Sequence, residues 1–178
     1  MSERKDLIYK QAEKKAEEIT EKLKKLSVKI ALAESCTAGM ISALLANTEG
    51  ASGVLWGSFV CYTQEAKVSM LGLDNERLNT CGLVSRETAC SMAQAAMQKS
   101  CADIGASVTG LAGPFGDGSG VPVGTVWTSA ALKNGRTEAR EYHFKGSRNA
   151  VRAQAAVAAL DLINEFLNKH IDINTKNY

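Results

Sequence analysis

The sequence predicts an α/β fold, a three-layer α/β/α sandwich around a five-strand mixed sheet. Short strand-like runs alternate with helical segments, which is the pattern of a layered α/β domain. The loop at residues 109–120 holds five glycines, and this density predicts backbone that takes positive φ or lies against a ligand or another backbone. Asn134-Gly135 then predicts a hairpin, so at least one strand of the otherwise mostly parallel sheet runs antiparallel.

Size and composition indicate one globular domain. The 178 residues are expected to form a single domain over 1–178, long enough to bury a core. Hydrophobic residues make up 45% and aromatics only 6%, which predicts a core built mainly from Ala, Val, Leu and Ile. A formal charge of +2, without a basic block, argues against nucleic-acid binding. No apolar run reaches the ~18 residues that a membrane span needs, so no membrane association is expected.

Cysteine usage predicts a reducing compartment. The five cysteines form no C-x-x-C pair, their number is odd, and only two histidines accompany them. Reduced thiols, no structural metal and no cofactor are therefore expected. Residues 1–6 are polar and charged with no apolar stretch behind them, unlike a secretory signal. We expect a cytoplasmic protein.

The N-terminal third of the chain predicts helix, strand and helix. Apolar residues recur at three- and four-residue steps over about 4–26, which predicts an amphipathic helix. Its charged face is either solvated or a contact within a homo-oligomer. A strand is expected over 28–33 and a helix over 38–46, with Glu34-Ser35-Cys36-Thr37 at the turn between them.

The remaining elements are predicted from helix-capping and turn residues and from the spacing of apolar residues. A strand at 55–62 precedes a short helix capped by Thr63, and Ser85 is placed to cap a longer helix that ends near Ser100. Further strands are expected at 104–108, 123–131 and 138–144. A last helix opens near Arg148, and the polar tail over 171–178 is expected to fray.

The segment Glu34-Ser35-Cys36-Thr37 places the Ser35 hydroxyl at a strand-to-helix turn. Loops at the carboxyl ends of parallel strands usually build the site in such folds, and backbone N–H groups at such a turn can stabilise an oxyanion or bind a phosphate. The alternative is that Ser35 or Thr37 only caps the helix. A Ser-His-Asp triad is excluded, since the G-x-S-x-G motif and a credible histidine partner are both missing.

Lys67 and Tyr62 are the proton acceptors that remain. A lysine can act as a base only when neutral, so its pKa would have to fall from ~10.4 toward ~7–8. Partial burial could achieve this, whereas an exposed lysine on a helix would do nothing. Arg148, which opens the last helix with Arg152, is a candidate clamp for phosphate or carboxylate. The alternative for both arginines is an ordinary surface pair.

Several separated motifs, taken in order, resemble the C-terminal domain of the competence/damage-inducible protein CinA, over roughly residues 28–167. They are Ala33-Glu34-Ser35-Cys36-Thr37 with Gly39, Tyr62 with Glu65-Ala66-Lys67, Thr109-Gly110-Leu111-Ala112-Gly113-Pro114, Pro122-Val123-Gly124-Thr125-Val126, and Gly146-Ser147-Arg148 with Val151-Arg152. Stand-alone members of that family are nicotinamide-nucleotide amidohydrolases. The resemblance implies hydrolysis of nicotinamide mononucleotide to nicotinic acid mononucleotide and ammonia, without a metal.

The resemblance also assigns roles. Ser35 matches the family's nucleophile, and Lys67 and Tyr62 match its proton-transfer partners. The expected substrate-binding residues are Cys36, Thr37, Thr109, Gly110, Gly113 and Arg148. The chain departs from the family pattern at Ala38, where a second glycine is usual, at Gln64, where asparagine is usual, and at Val121, where a lysine is usual. The alternative is therefore a catalytically degenerate member that binds a nucleotide or protein partners.

Overall fold

The computed structural model describes residues 2–171, of which residues 2–6 are described by their backbone. Seven helices and five strands are found in this range. In chain order they are α1 (Ser2–Leu26), β1 (Ile30–Glu34), α2 (Met40–Ala46), α3 (Ala51–Val54), β2 (Leu55–Val60), α4 (Gln64–Leu71), α5 (Asn75–Cys81), α6 (Arg86–Ser100), β3 (Ile104–Gly110), β4 (Thr125–Leu132), β5 (Thr137–His143) and α7 (Arg148–His170).

The five strands form one mixed sheet in the order β2-β1-β3-β4-β5. β1 pairs in parallel with both β2 and β3, and β4 pairs antiparallel with β3 and with β5. Four strands therefore point the same way and β4 alone is reversed. The predicted α/β sandwich with a five-strand mixed sheet is confirmed.

Helices cover both faces of this sheet and enclose two separate cores. On one face, α2 and α7 lie over the strands, and α1 packs against α2, α3 and α7 rather than on the sheet itself. The core there is built from aliphatic side chains such as Ile19, Leu32 and Leu160, with Phe166 as its largest ring. On the other face α6 crosses the sheet with α4 and α5 beside it, over a smaller core of alanines and Met92.

The structure differs from the sequence prediction in local detail. The first strand begins at Ile30 rather than residue 28, and the helix expected over 38–46 begins at Met40. α3 and α5 were not predicted, because each is short and lacks a clear apolar period. The tail expected to fray over 171–178 lies outside the described residues except for Ile171, which is buried. None of the helices within residues 2–171 is long and apolar enough to cross a membrane.

Candidate active site

The candidate site lies at the carboxyl ends of β1, β2 and β3. Ser35 follows β1 directly and Cys61 follows β2. The loop at residues 109–120, the glycine loop, leaves the end of β3. Because β4 is reversed and β5 returns, α7 also begins at this end of the sheet. Residues from four distant parts of the chain are thereby brought together.

Ser35 and Lys67 form a buried pair at the centre of this site. Lys67 Nζ lies 3.0 Å from Ser35 Oγ, and the same Nζ donates to the carbonyl of Cys61 at 3.1 Å. Lys67 is 1% exposed and Ser35 6%. Lys67 lies one turn into α4, whose N-terminus is capped by the Thr63 side chain accepting from Ala66 N–H. The helix therefore aims the amine under the end of β2 toward the serine.

Burial lowers the pKa of Lys67 below the ordinary value of a lysine. Desolvation penalises the charged ammonium, and no carboxylate forms a salt bridge with it in the part of the chain that the structure describes. Burial therefore shifts the equilibrium of Lys67 toward the neutral amine relative to a free lysine, and only the neutral amine has a lone pair that can accept the hydroxyl proton of Ser35. Of the two alternatives for this lysine, burial is the one observed, and the alternative of an exposed lysine is wrong.

The turn after Ser35 presents two unpaired backbone donors. Ala38 N–H donates to Ser35 O at 3.0 Å and closes the turn, while Ser35 N–H donates to Val108 O. The N–H groups of Cys36 and Thr37, between them, donate to no protein atom among the described residues. Two adjacent free N–H groups beside a nucleophile are the usual components of an oxyanion hole.

Neither Ser35 nor Thr37 caps α2, so the capping alternative is wrong. The buried carboxylate of Glu34 takes that role, accepting from Gly39 N–H at 3.0 Å, Ile41 N–H at 3.1 Å and Ser42 N–H at 2.9 Å. The Thr37 hydroxyl also donates to it at 2.8 Å, and the Ser58 hydroxyl at 3.3 Å. Sequence reasoning missed Glu34, although a carboxylate just before a helix was the available signal.

Arg152 is the second residue whose role the sequence did not reveal. Its Nε donates to Cys36 O at 3.0 Å and its Nη2 to Thr37 O at 2.9 Å. The half-buried guanidinium therefore binds two carbonyl groups of the turn that carries the two free N–H groups. The alternative of a surface arginine is wrong for Arg152, since the contact joins residues more than a hundred positions apart.

Tyr62 and Arg148 belong to the rim of the site. Tyr62 is 50% exposed, and its hydroxyl accepts from Arg148 Nη2. Arg148 Nη1 also donates to Gly113 O at 2.7 Å, which ties the end of β2 to the glycine loop. Within the described residues no hydrogen bond joins Tyr62 to Ser35 or Lys67. Its part in proton transfer stays a prediction.

Three residues of the glycine loop that are expected to bind substrate also have structural roles. A Cβ on Gly110 would lie 2.8 Å from Thr125 O, so this glycine admits the neighbouring strand. Gly113 has a φ of +80°, and a Cβ there would strike Val123 Cγ1 at 2.5 Å. The Thr109 hydroxyl is buried and donates to Leu83 O at 2.7 Å. These residues shape the loop, and their contact with substrate stays a prediction.

The thiols beside the site are poor nucleophiles. Burial raises the pKa of Cys36 to about 12 and that of Cys61 to about 11, so both stay protonated at neutral pH. Within residues 7–171, whose side chains the structure describes, no group of three or more His, Cys, Asp and Glu side chains could hold a metal ion. The hydroxyl of Ser35, next to an amine of lowered pKa, stays the candidate nucleophile of this site.

The three departures from the family pattern have distinct structural settings. Ala38 takes a φ of +51°, a left-handed conformation that suits glycine. Gln64 Nε2 donates to the side chains of Asn75 and Asn79, which joins α4 to α5 away from the Ser35 hydroxyl. Val121 is half-buried at the end of the glycine loop.

Comparisons with known proteins agree on one family. The model of the CinA C-terminal domain matches residues 12–167. A CinA-like protein of Kosmotoga olearia is 39% identical over 163 residues, which are 91% of this chain and 39% of the relative. The chain spans between a third and two fifths of the length of this and two other curated relatives that it matches.

Solved structures give the same result. The competence/damage inducible protein CihA of Agrobacterium tumefaciens has a TM-score of 0.84 and 36% identity, covering 87% of this chain and 94% of its own. The competence damage-inducible protein A (ComA) of Klebsiella pneumoniae has a TM-score of 0.86 and 30% identity, covering 90% and 99%.

Proposed function

The chain belongs to the CinA C-terminal domain family, and we propose that it hydrolyses the carboxamide of nicotinamide mononucleotide to nicotinic acid mononucleotide and ammonia. The observation that carries this proposal is the buried Ser35–Lys67 pair, 3.0 Å from Oγ to Nζ. A serine beside a lysine of lowered pKa is a known arrangement for covalent acyl transfer.

The chemistry proceeds in two halves. Lys67 Nζ takes the hydroxyl proton of Ser35 while Oγ bonds to the carboxamide carbon. The C–N bond then breaks, and Lys67 returns the proton to the departing nitrogen, which leaves as ammonia. Water attacks the resulting ester and gives a proton to Lys67. Lys67 then returns this proton to Ser35 Oγ as the bond from Oγ to the carbonyl carbon breaks, which releases the carboxylic acid and restores the serine hydroxyl. Cys61 O, which accepts from Nζ, holds the amine in place throughout.

Binding groups surround this pair on two sides. The free N–H groups of Cys36 and Thr37 are placed to receive the developing oxyanion. On the rim, the cation of Arg148 and the backbone of the glycine loop are suited to the phosphate of a nucleotide. We place this activity in the cytoplasm as part of the proposal, supported by the five unpaired thiols.

The decisive experiment measures ammonia release from nicotinamide mononucleotide by wild type, Ser35→Ala and Lys67→Arg. Both variants should lose several orders of magnitude in turnover, because one lacks the nucleophile and the other carries a guanidinium that cannot accept a proton. Ser100→Ala is the matched control: Ser100 is also buried, but it lies at the opposite end of the sheet and should keep full turnover.

Two results would count against this function. Wild-type turnover in Ser35→Ala would exclude the covalent mechanism. A wild type that binds the nucleotide, seen by calorimetry, but releases no ammonia would favour the alternative of a degenerate binding protein.

A further inference from the structure

We propose that Arg152 is a positioning residue that holds the two oxyanion-binding peptides in their working orientation. This inference rests on the proposed function, because it assigns a role within the same site. It concerns the turn from Ser35 to Ala38 and the first turns of α7, which lie more than a hundred residues apart in the sequence.

The argument begins with the geometry of a trans peptide, in which C=O and N–H point in opposite directions. Thr37 N–H belongs to the same peptide unit as Cys36 C=O, which accepts from Arg152 Nε at 3.0 Å. Fixing that carbonyl on one side therefore fixes the direction of Thr37 N–H on the other.

The neighbouring donor is fixed in the same way by a different partner. Cys36 N–H shares its peptide with Ser35 C=O, and this carbonyl accepts from Ala38 N–H at 3.0 Å. The peptide that contains Ala38 N–H is in turn held through Thr37 C=O, which accepts from Arg152 Nη2 at 2.9 Å. One guanidinium thus orients Thr37 N–H directly and Cys36 N–H through the turn bond.

The backbone of this turn is unfavourable by itself and is held by two side chains: Glu34 binds the Thr37 hydroxyl and Gly39 N–H, and Arg152 binds the carbonyls of Cys36 and Thr37. Ala38 and Gly39 both take positive φ, at +51° and +91°, and the left-handed region costs an alanine free energy. Arg152 is anchored in a long helix, between the buried residues Val151 and Ala153. Arg152 therefore transmits the rigidity of α7 to the turn.

Arginine suits this task better than lysine. Two donors in a planar fork can reach two carbonyls at once, whereas an ammonium is a point charge without that fixed geometry. Within residues 7–171 Arg152 forms no salt bridge, so its charge is directed at the turn. Arg152→Lys keeps the charge and removes the fork, which separates orientation from electrostatic attraction.

Kinetics on Arg152→Met and Arg152→Lys test the proposal. Loss of one oxyanion donor usually costs 10²–10³ in kcat, and a misaligned donor should cost about 10- to 100-fold. We expect kcat to fall by that amount in both variants while KM changes less than about threefold, since the oxyanion forms only in the transition state. Arg140→Met, at an exposed pair with Glu165, is the matched control and should keep the wild-type kcat. A wild-type kcat in Arg152→Lys, or a change confined to KM, would overturn the inference.

A second measurement separates this inference from the proposed function. In ¹⁵N-labelled protein, Arg152→Lys should shift the amide resonances of Thr37 and Ala38, whose peptide carbonyls Arg152 binds. The amides of Ile41 and Ser42, held by Glu34, should move less. If the wild type releases no ammonia and the shifts appear, the amidohydrolase proposal fails and the orienting role of Arg152 stands. Unmoved Thr37 and Ala38 amides would refute that role whatever the activity.

Discussion

Replacing Ala38 by glycine is expected to stabilise the protein, although it removes a methyl group. Ala38 has a φ of +51° and an exposed side chain, so the substitution removes no buried contact. It relieves the clash that a Cβ suffers in the left-handed region, while the hydrogen bond from residue 38 N–H to Ser35 O is retained. Within the folded state, the effect is therefore a test of backbone strain.

The magnitude follows from two opposing terms. Left-handed backbone costs an L-residue about 1–2 kcal/mol. Glycine in turn makes the unfolded chain more flexible, which costs about 0.4–1 kcal/mol relative to alanine. The net gain is about 0–1.6 kcal/mol, with a central value of about 0.8 kcal/mol, which corresponds to a rise in Tm of about 2–3 °C, and at most about 6 °C, for a domain of this size.

Thermal and urea unfolding of wild type, Ala38→Gly and Ala43→Gly measure the effect. Ala43 is also exposed but lies in the middle of α2, where glycine should instead cost about 1 kcal/mol. Opposite signs at the two positions are expected, and the rate of ammonia release should not change at residue 38. A Tm that falls in Ala38→Gly would refute the reasoning, because it would mean that the strain at residue 38 is smaller than the cost of glycine in the unfolded chain.

Three further predictions concern Lys67, Glu34 and Val121. Folding lowers the pKa of Lys67, so between the folded pKa and ~10.4 the unfolded chain binds a proton that the folded chain does not. Over that pH range the stability of the wild type relative to Lys67→Met should therefore rise with pH. A stability difference that falls with pH in thermal melts would contradict this. Glu34→Gln should lower the free energy of unfolding by about 1.5–3 kcal/mol in urea, since the amide replaces an acceptor of three backbone N–H groups with a partial donor; an unchanged midpoint would count against it. Val121→Lys should lower KM for nicotinamide mononucleotide by about tenfold at constant kcat, as one charge-assisted hydrogen bond to an anion would, and an effect on kcat alone would exclude that explanation.

The sequence was informative where a local pattern has one physical cause. Short apolar runs fixed the strands, and Asn134-Gly135 located the reversal between β4 and β5. Ser85 was identified as a helix cap because its hydroxyl accepts from the N–H three residues later, a purely local contact. Ser35 and Lys67 stand out by position and residue type, and the resemblance to a known family assigns their roles. Their 3.0 Å contact depends on how α4 packs beside β1.

What the sequence could not show are contacts that depend on tertiary structure. Thr37 was expected either to cap a helix or to bind substrate, yet its hydroxyl donates to Glu34, because the carboxylate folds back over the turn. Arg152 meets Cys36 and Thr37 only once α7 has returned to the carboxyl end of β1. The left-handed φ of Ala38 was equally hidden, since an alanine carries no signal for it.

The single reversed strand determines at which end of the sheet α7 begins. Each strand carries the chain from one end of the sheet to the other, so the two consecutive strands β4 and β5 return it to the end that it left at Gly110. If an odd number of strands lay between β3 and α7, α7 would begin at the opposite end of the sheet, and neither Arg148 nor Arg152 would reach the site. The turn at residues 133–136 lies at that far side. Its length is thus free to vary without moving either arginine, and an insertion there should leave the nucleophile, its base and their clamp where they are.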